Sequence, residues 1–335
     1  MSSRPGTPQR GPGPRRTTLM AGLAVGRSAS RGSVQSERRS EAVSAYTLIA
    51  VPMALFLILN IGSILYALFI SFWKWGARGA TAFRGIGNYQ ALLNDGIFWK
   101  AVQNSLYYAV VWVPLTMAIG LFLAVIVNQK IRGQTFFRAA FYFPAIASSA
   151  AITVLWVFLM QPDGLFNQLR AAFGLNPLFN LLGFPPDMNW IGNSRTALNA
   201  VIILNAWTTS GTFMLFYLAS LQTISHEVYE AAAIDGASAW QTFWKITFPL
   251  LKPGHYFVAT VAVIGALQLF DQARIIGGSS GDPNYSLMTV VLYLYREAIS
   301  SFNFGYAAAV GIVLFAIIFT ATLVQRRLFG SAPSW

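Results

Sequence analysis

The residues able to act as acids, bases, nucleophiles or metal ligands are few: eleven carboxylates, two histidines and no cysteine in 335 residues. The carboxylates are scattered over the connections between apolar runs, and no acid/base pair or metal-ligand spacing emerges from them. His226 and His255 are both expected at one membrane surface. The lack of cysteine excludes disulfides, thiolate nucleophiles and cysteine metal sites. No Gly-Lys dipeptide occurs, so the phosphate-cradling GxxxxGK[ST] loop is missing. The sequence thus argues against an enzyme, and any ATP hydrolysis must occur on another subunit.

One polar segment does carry a pattern. Residues 225–253 read SHEVYEAAAIDGASAWQTFWKITFPLLKP, which describes two short helices with a break. Ser225 is a fit N-cap, and Glu227 falls in the first turn, where it complements the helix dipole. Gly236 can adopt the left-handed conformation that ends a helix, and Ser238 with Gln241 forms a capping box for a second start. Ala231, Ala232, Ala233, Gly236 and Ala237 leave the protrusion nearly free of side-chain bulk, so another backbone could approach closely. Glu230 and Asp235 add acidic groups for basic residues of a partner.

The elements that present this segment follow from composition. With 55% hydrophobic and 10% charged residues, against about 25% charged for soluble globular chains, the chain requires lipid as solvent. Six apolar runs, at 46–72, 105–127, 139–160, 197–221, 254–270 and 305–324, predict an all-α bundle of six transmembrane helices. Pro52, Pro114 and Pro144 lie inside runs and are expected to kink them. Eight of the 23 basic residues precede Glu41 in a Pro-, Ser- and Gly-rich stretch without aromatic residues. That composition predicts a disordered basic tail over residues 1–43 and no nucleic-acid binding. Residues 44–329 form the membrane domain, and 330–335 a short second tail. A cytoplasmic amino terminus places 15 basic and 5 acidic residues inside, against 8 and 6 outside, so both termini are assigned to the cytoplasm. Trp73, Trp75, Trp99 and Trp190 at the edges of the outer connections fit interfacial anchoring.

Within the six runs only His255 is ionisable. Gradient-driven carriers usually need a buried group that changes charge, so the energy for transport is expected from outside the bilayer.

Glu230, Ala231, Ala232, Gly236, Ile246 and Pro249 resemble the EAA-x3-G-x9-I-x-LP signature of permeases in binding-protein-dependent ABC importers, with Phe248 where Leu is usual. The resemblance runs from about residue 42 to 329 and is closest to the maltose-type carbohydrate branch. Phe83, Gly85, Asn88 and Tyr89, the stretch 98–106, Phe137, Arg138 and Pro144, and Tyr295 to Ala298 with Phe304 and Gly305 also carry it. Residues 276–283 depart from the T-x-G-G-P that the branch often has. The resemblance implies that residues 225–249 form a coupling segment docking on an ATP-binding subunit. It implies as partners two such subunits holding ATP and Mg, a second homologous permease, an extracytoplasmic binding protein and a sugar, with no cofactor on this chain. A sugar path needs aromatic faces and polar groups. Trp112, Trp156, Trp207, Asn205, Phe270, Asp271 and Gln268 are candidates, with Asn205, Trp207, Gln268 and Phe270 foremost. The rival reading is a passive channel or gradient-driven carrier, and glycerol phosphate is the alternative solute.

Overall fold

The computed structural model describes residues 31–129 and 132–329 in two compact units, one ending at Gly62 and the other beginning at Ser63. Residues 1–30, the second tail and Lys130 lie outside the described residues. In the first unit, α1 (Arg31–Phe56) runs into a π-helical turn at Leu57–Gly62. The helix therefore starts inside the stretch expected to lack structure, carried by the helix-compatible run of Ser, Glu, Ala and Arg before Tyr46.

The second unit begins with α2 (Ser63–Ser71), a short antiparallel hairpin of β1 (Trp73–Gly76) and β2 (Gly79–Phe83), and α3 (Gly87–Leu93). Asn88 locks this corner, donating to the Ser71 and Trp73 carbonyls at 2.7 and 3.0 Å. Tyr89 lies 2.7 Å from the Ser71 hydroxyl, whose own proton goes to Leu68. The chain continues through α4 (Gly96–Asn128), α5 (Gln134–Ile146), α6 (Ser149–Leu159), α7 (Leu165–Ala172), α8 (Asn176–Leu181) and α9 (Ala197–Leu221). Then come α10 (His226–Ile234), α11 (Ala239–Thr242), α12 (Phe248–Leu250), α13 (Lys252–Leu267), α14 (Asp271–Gly277), α15 (Val290–Tyr295) and α16 (Phe304–Phe329).

Among the described residues, five helical segments are long and apolar enough to cross a membrane: Glu41–Ser71, Gly96–Asn128, Ala197–Leu221, Lys252–Gly277 and Phe304–Arg327. The third expected span is not one helix. It is the pair α5 and α6, bent by 89°. Pro144, in the last turn of α5, brings no amide hydrogen to the helix ladder, and Ala147 then takes extended dihedrals. Gln272 from the α14 side donates to Ser149 at 2.9 Å, fixing the elbow. Pro52 and Pro114, by contrast, lie within α1 and α4 without ending them.

The core forms where α4 and α9 face each other, with α13 against both. Backbone proximity decides which residues fit. A Cβ at Gly211 would stand 2.3 Å from the Phe141 carbonyl oxygen of α5, so only glycine lets α9 and α5 meet there.

Asp95 caps α4, its Oδ1 accepting from the Ile97 and Phe98 amides at 2.9 and 3.2 Å. Its Oδ2 accepts from the Tyr293 hydroxyl of α15 and, at 2.8 Å, from Tyr306 of α16. Burial opposes ionisation, but the two phenols and two amides outweigh it and hold the carboxyl below its ordinary value of 3.8. Because the folded-state value is depressed, the carboxylate's stabilisation is fully present above the ordinary value and is lost as pH falls through the depressed one.

The Trp190 indole is not at an interface. It is buried against Met160 and Met188, with Phe166, Phe179 and Phe184 packed around it, and its N–H donates to Asn167 at 2.8 Å. Arg170 lies over the Phe179 and Trp190 rings at 5.2 and 5.8 Å, so the connection after α6 has its own small core.

Two outcomes follow. Gly211→Ala should melt earlier in detergent than wild type, with an overpacking cost of about 1–3 kcal/mol, whereas Gly265→Ala, with nothing within 4 Å of the added Cβ, should not; equal melting of both would contradict the close approach. The loss of melting temperature in Asp95→Asn should be larger at about pH 6 than at about pH 3, and a loss independent of pH would contradict an ionised cap.

Candidate functional site

The segment 225–253 folds as its local chemistry dictates. Helix α10 ends in a Schellman arrangement: the Gly236 amide donates to Ala233 at 3.1 Å and the Ala237 amide to Ala232 at 2.9 Å. Gly236 takes φ +71°, where a side chain is strained. Ser238 and Gln241 form the capping box that starts α11. Ser225 occupies the N-cap position of α10, but its side chain makes no capping hydrogen bond.

Chain continuity then runs through a π-helical turn, Phe243–Thr247, into α12. The Thr247 hydroxyl reaches that of Tyr229 at 3.4 Å, holding the two halves together. Glu230, Ala231, Gly236 and Pro249 are exposed, and Ile246 is half-buried. Ala232 is turned inward and buried, and Ala237 is half-buried, so the low-bulk surface consists of Ala231, Ala233 and Gly236 rather than all five small residues. Ile234 and Trp240 stand 86% and 71% exposed beside it. Large apolar side chains at a polar tip mark a contact surface better than scattered exposed residues do. Glu230 lies 3.0 Å from Nδ1 of His226 in an open contact.

His255, near the start of α13, is turned into the protein at the foot of the segment, between Phe248 and Tyr217; distance along a helix does not tell which side faces the core.

The solute-path candidates divide. Asn205, Gln268 and Phe270 line one recess of about 390 Å³ with Tyr108, Trp112 and Asp271. Trp207 lies elsewhere, about half exposed, on an apolar recess with Leu115, Ile119 and Phe141. Trp156 donates its indole N–H to the Ala200 carbonyl at 3.1 Å. Asn205 is buried and donates to the Tyr108 hydroxyl at 2.8 Å, and Tyr108 stacks on Trp112 with centroids 5.6 Å apart. The Phe270 ring sits 5.1 Å from that of Tyr295.

A second recess, of about 200 Å³, adjoins this one through Asn205, Thr209 and Gln272, and adds Ser149, Thr208 and Thr212. The three threonines and Gln272 were not singled out from the sequence. Asn205, Thr208 and Thr212 follow a helical period along α9, which was the available signal. Among the described residues, the lining of the two recesses includes no Lys, Arg or His side chain, and Asp271 is its one carboxylate. The arrangement offers aromatic faces with amide and hydroxyl groups, and nothing arranged as a nucleophile with its base.

Comparison with known proteins gives a consistent result. The family described as binding-protein-dependent transport system inner membrane component matches residues 116–330. The lactose transport system permease protein LacF of Rhizobium radiobacter is 33% identical over 295 residues, 88% of this chain and 96% of that protein. The multiple sugar-binding transport system permease protein MsmF of Streptococcus mutans is 33% identical over 285 residues, 84% of this chain and 94% of its own. Among solved structures, a chain of a bacterial alginate ABC transporter, in complex with an alginate pentasaccharide-bound periplasmic protein, shares the fold. Its TM-score is 0.71 at 19% identity, covering 89% of this chain and 98% of that one. The chain therefore belongs to the binding-protein-dependent transport system inner membrane component family, whose members are the permease subunits of ABC transporters.

Proposed function

We propose that this permease forms part of the path for an uncharged sugar across a bacterial cytoplasmic membrane, driven by ATP hydrolysis on separate subunits. The observation that carries the reading is the bent, exposed segment at residues 230–249, present in a chain whose family is that of importer permeases. Its open low-bulk face, with Ile234 and Trp240 beside it, suits docking on an ATP-binding subunit. The expected partners are two such subunits holding ATP and Mg, a second homologous permease and an extracytoplasmic binding protein. The lipid bilayer surrounds the assembly, and nucleic acid has no part in it.

Lactose and multiple-sugar transport in the names of two relatives supports a sugar as solute. The recess chemistry points the same way: Tyr108, Trp112 and Phe270 can cover C–H faces, while Asn205, Gln268 and Gln272 can bond hydroxyls. Among the described residues the recess lining has no cationic side chain to neutralise a phosphate, which disfavours glycerol phosphate. Alternating access requires a helix bundle with two arrangements, biased at one end by the loaded binding protein and at the other by ATP.

Two tests apply. Gly236→Trp, which combines strain of about 1 kcal/mol with added bulk, should lose ATPase-subunit copurification or sugar uptake at unchanged membrane abundance; normal assembly and uptake would reject the coupling role. For orientation, single cysteines at Asp187 and Glu227, both exposed in this cysteine-free chain, should react with an impermeant thiol reagent in intact cells only at position 187. Labelling at 227 would reverse the topology.

A further inference from the structure

A chain of ring contacts leaves the segment and enters the bundle. Trp240 meets Trp244 at 5.6 Å, Trp244 meets Phe248 at 5.2 Å, and Phe248 meets His255 at 4.6 Å. His255 in turn meets Tyr217 of α9 at 5.4 Å. One turn earlier on α9, Phe213 touches Trp112 at 6.0 Å, and Trp112 stacks on Tyr108, the partner of Asn205 in the recess.

His255 is a polar joint in this series of contacts. The Phe248 carbonyl, which can only accept, lies 3.2 Å from Nε2, and the Tyr217 hydroxyl lies 3.1 Å from Nδ1. Nε2 therefore carries the proton and donates to Phe248, and Tyr217 donates to Nδ1. Both nitrogens of one buried ring are thus committed, one to the exit of the segment and the other to α9.

We propose that His255 is the positioning residue through which movement of residues 230–249 is passed to α9 and hence to the solute recess. Contiguous packing alone is no proof of transmission. What singles out His255 is that directed hydrogen bonds fix it to both elements, so neither can shift without the other or without leaving a buried polar group unpaired. The inference rests on the coupling role proposed for residues 230–249. That role fails if Gly236→Trp assembles and imports normally, whereas the His255 inference fails only in a complex that assembles.

The test is ATP hydrolysed per sugar imported by the complete complex in vesicles, with subunit copurification measured in parallel. His255→Ala should raise the ratio on the order of fivefold or more with assembly retained. His255→Gln should restore it, because its amide N–H can reach the Phe248 carbonyl while its oxygen accepts from Tyr217. A wild-type ratio in an assembled His255→Ala complex, or no rescue by Gln, would overturn the inference. If His255→Ala does not assemble, Tyr217→Phe decides, since it removes one hydrogen bond and no bulk: a raised ratio supports the joint, and an unchanged ratio overturns it.

Discussion

Lipid offers no hydrogen bonds, so every helix break in this chain must find its partners within the protein. Asn104 of α4 donates to the Tyr285 and Met288 carbonyls at 2.7 and 2.9 Å, and Ser105 accepts the Val290 amide at 3.1 Å. Thr289 accepts the Leu292 amide and donates to the Leu269 carbonyl at 2.7 Å. These bonds let the irregular connection between α14 and α15 rest against α4, and let α13 stop at Leu267 instead of continuing straight.

The recess exists because of those interruptions. The elbow between α5 and α6 presents Ser149 to Gln272, and the break after α13 brings Gln268, Phe270 and Asp271 to the same space as Asn205 and Tyr108. Straight helices would not bring Gln268, Phe270 and Asp271 to the space beside Asn205. The recess therefore follows from where the backbone departs from regularity, provided each departure is satisfied.

Much of the fold was legible in the sequence. Five of the six apolar runs became helices long and apolar enough to cross a membrane and the third became the bent pair α5 and α6, while the Gly236 stop and the Ser238–Gln241 restart were visible in local chemistry. Direction was harder to read. Hydropathy gives the same signal for a straight span and for one bent at Ala147. Along α9 the period of Asn205, Thr208 and Thr212 marks the polar face, and Trp207, on an apolar recess, lies off it. The burial of Trp190 and His255 within the protein has no local signal, because their partners, Asn167 and Tyr217, lie 23 and 38 residues away.

The account depends on this chain being a mechanical part of an ATP-driven machine rather than a pore in its own right. The direct measurement is sugar uptake into proteoliposomes that hold the chain alone or together with its second permease and ATP-binding subunits, with the loaded binding protein outside. Uptake should require the complete set and ATP inside the vesicles. Downhill sugar flux through the chain alone, at a comparable rate and without ATP, would contradict it.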